Sequence, residues 1–184
     1  MRQSAMTYAQ YLALEEPSLV KHEYLHGEVW AMAGGTPSHA RIGMNVGIAL
    51  GNALKGRPCV VYSSDLRVRI EETDRSTYPD ITVVCGKSVA ASDDANAIVN
   101  PTLIVEVLSD STEASDRGEK FAHLQHLPSL KEYVLVSQKL QRIEVFRRGE
   151  GSTWMLLPFT SGRVPLLSVD AVLEFAEVYA DPLA

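Results

Sequence analysis

Apolar residues alternate or cluster along this chain in short blocks, and the period of each block predicts its element. Thr7-x-x-Gln10 has the form of a capping box, and Tyr8, Tyr11, Leu12 and Leu14 follow at helical spacing, so a short amphipathic helix is expected from Thr7 to Glu15. After Pro17, the runs His22 to Leu25 and Glu28 to Met32 flank His26-Gly27, which predicts a hairpin. Ser38 is the expected N-cap of the next helix, in which Ile42, Val46, Leu50 and Leu54 form one face. Gly43, Gly47 and Gly51 line another face, a spacing that suits close packing against a sheet; a membrane-dimer motif is disfavoured by Arg41, Asn45 and Asn52. Gly56 and Pro58 end that helix.

Strands are predicted at Cys59 to Tyr62, Leu66 to Glu71 and Ile81 to Cys85, with a loop from Gly86 to Asn100. A strand over Thr102 to Leu108 comes next, then one helix over Ser111 to Leu127 that Pro128 stops. Glu132 to Val136, Ile143 to Phe146 and Trp154 to Leu157 read as three further strands, and Phe175 to Tyr179 as a last short helix. Strands and helices mix without strict βαβ alternation, which predicts an α/β (α+β) fold with a mixed sheet flanked by helices. The length of 184 residues fits one domain, 1–184.

Charge narrows the function classes. The chain carries 17 basic and 23 acidic residues, a formal net charge of −6, so the whole molecule lacks the basic excess of a general nucleic-acid binder and any such contact must be local. Cys59 and Cys85 sit beside valines in strand-like runs and read as reduced core thiols, which points to a cytoplasmic location. No apolar stretch is long enough to span a membrane, and Met1-Arg2-Gln3-Ser4 leads into polar sequence rather than a signal core.

The chemistry centres on Glu106, flanked on both sides by aliphatic residues in Leu103-Ile104-Val105-Glu106-Val107-Leu108. An ionised carboxylate in such a strand needs a cation or donors. A metal ion is one answer; a structural partner such as Arg67 or Arg69 is the other. Asp80 follows Pro79, so it belongs either to a turn or to an accessible strand start from which it reaches a ligand. Lys120 lies one helical turn after Asp116, either as an exposed ion pair or as an amine brought back over the sheet. Hard oxygen ligands with few histidines nearby suit Mg2+ or Mn2+. His39 near a helix start is either structural or a phosphate contact, and Arg67 and Arg69, on one strand face, either form ion pairs or meet a nucleic-acid backbone. Trp30 and Trp154, with hydrophobic neighbours, are expected to be core or interface anchors.

Several runs together resemble the bacterial Uma2 endonuclease family of the PD-(D/E)XK, or restriction-endonuclease-like, superfamily. They are Asp65-Leu66-Arg67-Val68-Arg69, Tyr78-Pro79-Asp80, Val105-Glu106-Val107-Leu108-Ser109, Asp116-Arg117-Gly118-Glu119-Lys120-Phe121 and Leu127-Pro128-Ser129-Leu130-Lys131-Glu132-Tyr133. Gly27-Glu28 and Ala33-Gly34-Gly35-Thr36 with His39 are similar to the family's N-terminal region. The resemblance implies a restriction-endonuclease-like fold and a metal-dependent endonuclease acting on DNA. It implies Asp80 and Glu106 as metal ligands, Val107 as a backbone-carbonyl donor, and Glu28 as an added acidic residue near the metal. The superfamily places a lysine two residues after the acid, where this chain has Leu108; the resemblance implies that Lys120 supplies the amine instead. A homodimer would bring one site to each strand of a duplex. Two alternatives stay open: a catalytically inactive interaction module on the same fold, and a metal-dependent hydrolase of another phosphoester.

Overall fold

The computed structural model describes residues 5–32 and 34–183. Met1 to Ser4 and Ala33, both part of the sequence reading, lie outside the described residues, as does Ala184. In chain order the elements are α1 (Tyr8–Glu15), β1 (His22–Leu25), β2 (Glu28–Ala31), α2 (Pro37–Ala53), β3 (Cys59–Ser63), β4 (Arg67–Ile70), β5 (Arg75–Thr77), β6 (Ile81–Cys85), β7 (Ala97–Ile98) and β8 (Leu103–Leu108). Then follow α3 (Glu113–Arg117), α4 (Glu119–Leu124), β9 (Glu132–Ser137), β10 (Arg142–Arg148), β11 (Trp154–Phe159), β12 (Arg163–Leu166), β13 (Ala171–Glu174) and α5 (Phe175–Val178).

The central sheet has the order β11-β10-β9-β8-β6-β3, with β8 and β9 parallel and the other neighbours antiparallel. Every residue of β8 and β9 is buried, which is why their sequences read as continuous apolar runs. Because side chains alternate along a strand, Leu103, Val105 and Val107 face α2 and the β12–β13 hairpin, while Ile104 and Leu108 face Phe121, Leu124 and Leu127. Glu106 shares the second face, so its carboxylate points into the layer that holds α4. A second sheet, β2-β1-β5-β4-β7, completes that side, and Val68 and Ile70 of β4 join the same core.

The capping box at Thr7 and Gln10 forms as expected, and His26 and Gly27, both at positive φ, make the tight β1–β2 turn. Other expectations are corrected. The N-cap of α2 is Thr36, not Ser38: Thr36 Oγ1 accepts the His39 amide at 3.1 Å, and Pro37 takes the first helical position, where a missing N–H costs nothing. The expected helix over Ser111 to Leu127 is two helices, broken at Gly118, where an added Cβ would stand 3.1 Å from the Ala114 carbonyl oxygen. The short strands β5 and β7 and the β12–β13 hairpin had no expectation. Trp154 packs its ring 5.1 Å from that of Phe121, whereas Trp30 stands on edge strand β2 at 38% exposure.

Cys59 and Cys85 are joined in a disulfide, which corrects the reading of two reduced thiols. Gly86 N–H donates to the Pro58 carbonyl, so the pair Cys59 and Cys85 is the closer, non-hydrogen-bonded kind, with side chains side by side on one face. The cytoplasmic reading therefore takes no support from the cysteines. Among the described residues no helix is long and apolar enough to cross a membrane.

The glycines of α2 are not required by packing. A Cβ on Gly43 would meet Val107 Cγ2 at 3.9 Å and one on Gly47 would meet Ile81 Cδ1 at 4.0 Å, both ordinary contacts, and one on Gly51 would meet nothing within 4 Å.

Candidate active site

Ile81 pairs with Val105 in the antiparallel register of β6 and β8, which sets Asp80, the residue before β6, across from Glu106. Their groups interlock. The Asp80 amide donates to Glu106 Oε2 at 3.2 Å, and the Val107 amide donates to Asp80 Oδ2 at 2.7 Å. The irregular end that Pro79 gives this strand leaves the Asp80 side chain 20% exposed, at the mouth of a cavity of about 400 Å³ that Glu106, Val107, Asp116, Lys120 and His39 also line.

Lys120 enters from α4. Its ammonium lies 3.1 Å from Glu106, 3.1 Å from Asp116 and 3.3 Å from Glu23, so three carboxylates surround one cation. Burial alone would strip the proton from this amine, but the three carboxylates more than reverse that and hold Lys120 as an ammonium far into the alkaline range. Glu106 shows the opposite balance. Burial pushes its carboxyl well above the usual carboxylate range, Lys120 pulls it back only in part, and Asp116, Asp80 and Glu23 push it up further. Glu106 is thus a carboxyl whose ionised form the buried site opposes more than Lys120 favours it.

His39 reaches the same place from the first turn of α2, with Nε2 3.2 Å from Asp80 Oδ2. That contact raises its pKa against the lowering effect of burial, and the Val107 carbonyl also favours the imidazolium. Asp80 Oδ2 thus has its partners within the protein, while among the described residues no donor reaches Oδ1.

The structure brings Asp80, Glu106, Val107, Asp116, Lys120 and His39 together. Asp116 is not part of an exposed pair: it is 2% exposed and Lys120 is 6%. Arg67 and Arg69 are elsewhere. Arg67 grips Asp94 through two hydrogen bonds of 2.8 and 3.0 Å, Arg69 pairs with Asp74 and Asp93 and lies over the Tyr8 ring, and neither lines the cavity. These pairs also answer the question of the cation beside Glu106, which is Lys120 and neither arginine. Glu28 is exposed beside the β1–β2 turn, opposite Leu25, and does not line the cavity.

The further acidic residue beside Lys120 is Glu23. It sits on β1, 5% exposed, accepts a hydrogen bond from Thr77 Oγ1 and lies 3.3 Å from Arg75 Nη2. Burial would raise its pKa, but Lys120, Thr77 and Arg75 outweigh that and keep it ionised. The only signal of Glu23 in the sequence is a charge in a four-residue strand, because its burial depends on a second sheet that local pattern does not reveal.

A family model described as "Putative restriction endonuclease", Uma2, matches residues 8–178. The chain belongs to the Uma2 family. Its relatives include two proteins of Synechocystis sp., "Uncharacterized protein slr1290", 38% identical over 87% of this chain and 84% of that protein, and "Uncharacterized protein sll1609", 31% identical over 93% of each. In structure the Uma2 chain is similar to a "putative nuclease belonging to DUF820 from Anabaena variabilis", with TM-score 0.75 and 20% identity over 95% of this chain and 97% of that one. The mixed sheet with flanking helices is thus a fold shared with a solved structure.

Proposed function

We propose that this Uma2 protein is a metal-dependent endonuclease that hydrolyses DNA phosphodiester bonds at the cavity holding Asp80 and Glu106. The observation that carries the reading is the direct apposition of these two carboxylates on neighbouring strands, with a buried ammonium on one of them.

Among the described residues no three His, Cys, Asp or Glu side chains form a metal cage. The oxygens on offer are Asp80 Oδ1, the Glu106 carboxylate and the Val107 carbonyl. Few protein oxygens with room for water suit Mg2+ or Mn2+ rather than zinc or calcium. Burial resists ionisation of the Glu106 carboxyl, and Asp116, Asp80 and Glu23 add to that, so a cation beside it would favour the carboxylate. Such an ion would supply Lewis-acid polarisation of the phosphodiester and offset charge on its oxygens.

The chain's own groups do the rest. Lys120, held as an ammonium by its carboxylate neighbours, is placed to orient the attacking water or to neutralise the pentavalent state. Glu23 and Asp116 hold that ammonium from two sides. His39, drawn toward its protonated form by Asp80, is placed to donate to a phosphate oxygen. A homodimer would carry two such sites. Purified Asp80→Ala and Glu106→Ala proteins should lose cleavage of DNA in magnesium; full cleavage by either would refute the assignment.

A further inference from the structure

A second cavity of about 620 Å³ opens from the first, and Met32, Gly34, Gly35, His39 and Asp80 line both. It runs outward along α2, with Gly43 and Gly47 on its floor and Leu19, Val20 and Met44 on its walls. These three wall residues are 103%, 49% and 64% exposed, an apolar rim on an acidic protein. Its volume is in the range that encloses a small ligand and far below what would receive a duplex.

Two features need an explanation that the fold does not supply. Glycine inside a helix costs about 1 kcal/mol relative to alanine, and neither Gly43 nor Gly47 is forced by a neighbour, since a Cβ would fit at both. What a larger side chain there would fill is the cavity. The second feature is affinity: a chain with net charge −6 gains little from neutralising many phosphates, so a nucleic-acid ligand must be held by something else.

We infer that this cleft receives the unstacked base of the nucleotide next to the scissile phosphate, so that the substrate is single-stranded or locally unpaired DNA. The inference rests on the nuclease reading, because the position of Asp80 fixes which nucleotide reaches the cleft. Because Asp80 lines both cavities, a phosphate held there would set the adjoining nucleotide at the shared opening, where the apolar walls favour a base face over water. A base paired and stacked in a duplex has no such face to offer; an unpaired one does. Gly43 and Gly47 keep the floor low enough for the ring. Selectivity for unpaired substrate then comes from the cost of extruding a base from a duplex.

The test uses the full chain and a fluorescein-labelled single-stranded DNA, the same strand in duplex, and the same strand made abasic, with calcium in place of magnesium to hold back cleavage. Binding is read by anisotropy, and magnesium binding is read separately by calorimetry on every variant. Gly43→Leu fills the floor, the double substitution Leu19→Ser and Val20→Ser strips an exposed wall that no fold depends on, and Gly51→Leu on the same helix is the control. Expected are weaker binding of duplex and abasic strand and a loss of about tenfold in single-strand affinity for the floor and wall variants, with Gly51→Leu unchanged. Magnesium binding stays as in the wild type. Unchanged single-strand affinity in both floor and wall variants overturns the cleft while leaving the nuclease site intact. Absence of magnesium binding in the wild type overturns the nuclease reading, and the assignment of the base with it.

Discussion

Glu106 Oε1 and Lys120 Nζ stand 3.1 Å apart where neither residue is more than 6% exposed. The strand side chain and the helix side chain were each ambiguous alone. Together they define a charged centre in the interior, because each finds its countercharge in the other. Removing one partner of such a buried pair costs about 3–5 kcal/mol, since the other is left uncompensated. Lys120→Met should therefore lower the urea midpoint strongly, and a double-mutant cycle with Glu106→Gln should return a coupling on the order of 1–3 kcal/mol. A coupling near zero would show that the pair is not the centre of the cluster.

Glu23 lies 3.3 Å from Lys120 while Glu28 is exposed and away from it, and the difference is measurable. Glu23→Gln removes one of three carboxylates from Lys120, and should lower turnover about tenfold or more with magnesium affinity nearly unchanged. Glu28→Gln, on an exposed residue, should alter neither. Loss of activity in Glu28→Gln with none in Glu23→Gln would reverse the placement.

Asp94 ties stability to acid. Burial would raise its pKa, but the two hydrogen bonds from Arg67, the Asn96 amide and the Tyr8 hydroxyl outweigh burial and hold it below its ordinary value. A carboxyl depressed in the folded state contributes stability that is present above its unfolded pKa, about 3.9, and is lost as pH falls through the lower folded value. Thermal midpoints of the wild type should fall below about pH 4 from this source, and Asp94→Asn should flatten that part of the curve while lowering stability at neutral pH. An unaltered acid limb in Asp94→Asn would exclude this contribution.

The helix that carries His39 is capped by Thr36. Thr36→Ala should cost about 1 kcal/mol, whereas Ser38→Ala should cost almost nothing, as read from denaturant midpoints. Equal losses would contradict the cap geometry.

Much of the site was legible because Glu106 interrupts an aliphatic run that only a doubly buried strand produces, and because Pro79 marks the strand end where Asp80 stands. The capping box and the His26-Gly27 turn were legible because each is a local pattern with one geometry. What failed to show depends on distant parts of the chain. Arg67 and Arg69 do share a strand face, but the carboxylates opposite them arrive from the loop at Asp93 and Asp94. Glu23 is buried by β5, a three-residue strand too short to carry a period. The break at Gly118 follows from one close approach to a carbonyl, and the Cys59–Cys85 bond from cross-strand register; neither leaves a mark on hydrophobic pattern.

Calorimetric titration with magnesium tests the central claim most directly, on the wild type and on Asp80→Asn and Glu106→Gln proteins whose folding is checked by circular dichroism. The account predicts saturable binding in the wild type that both substitutions abolish, with DNA cleavage lost in parallel. Magnesium binding that survives both substitutions, or none in a folded wild type, would contradict it.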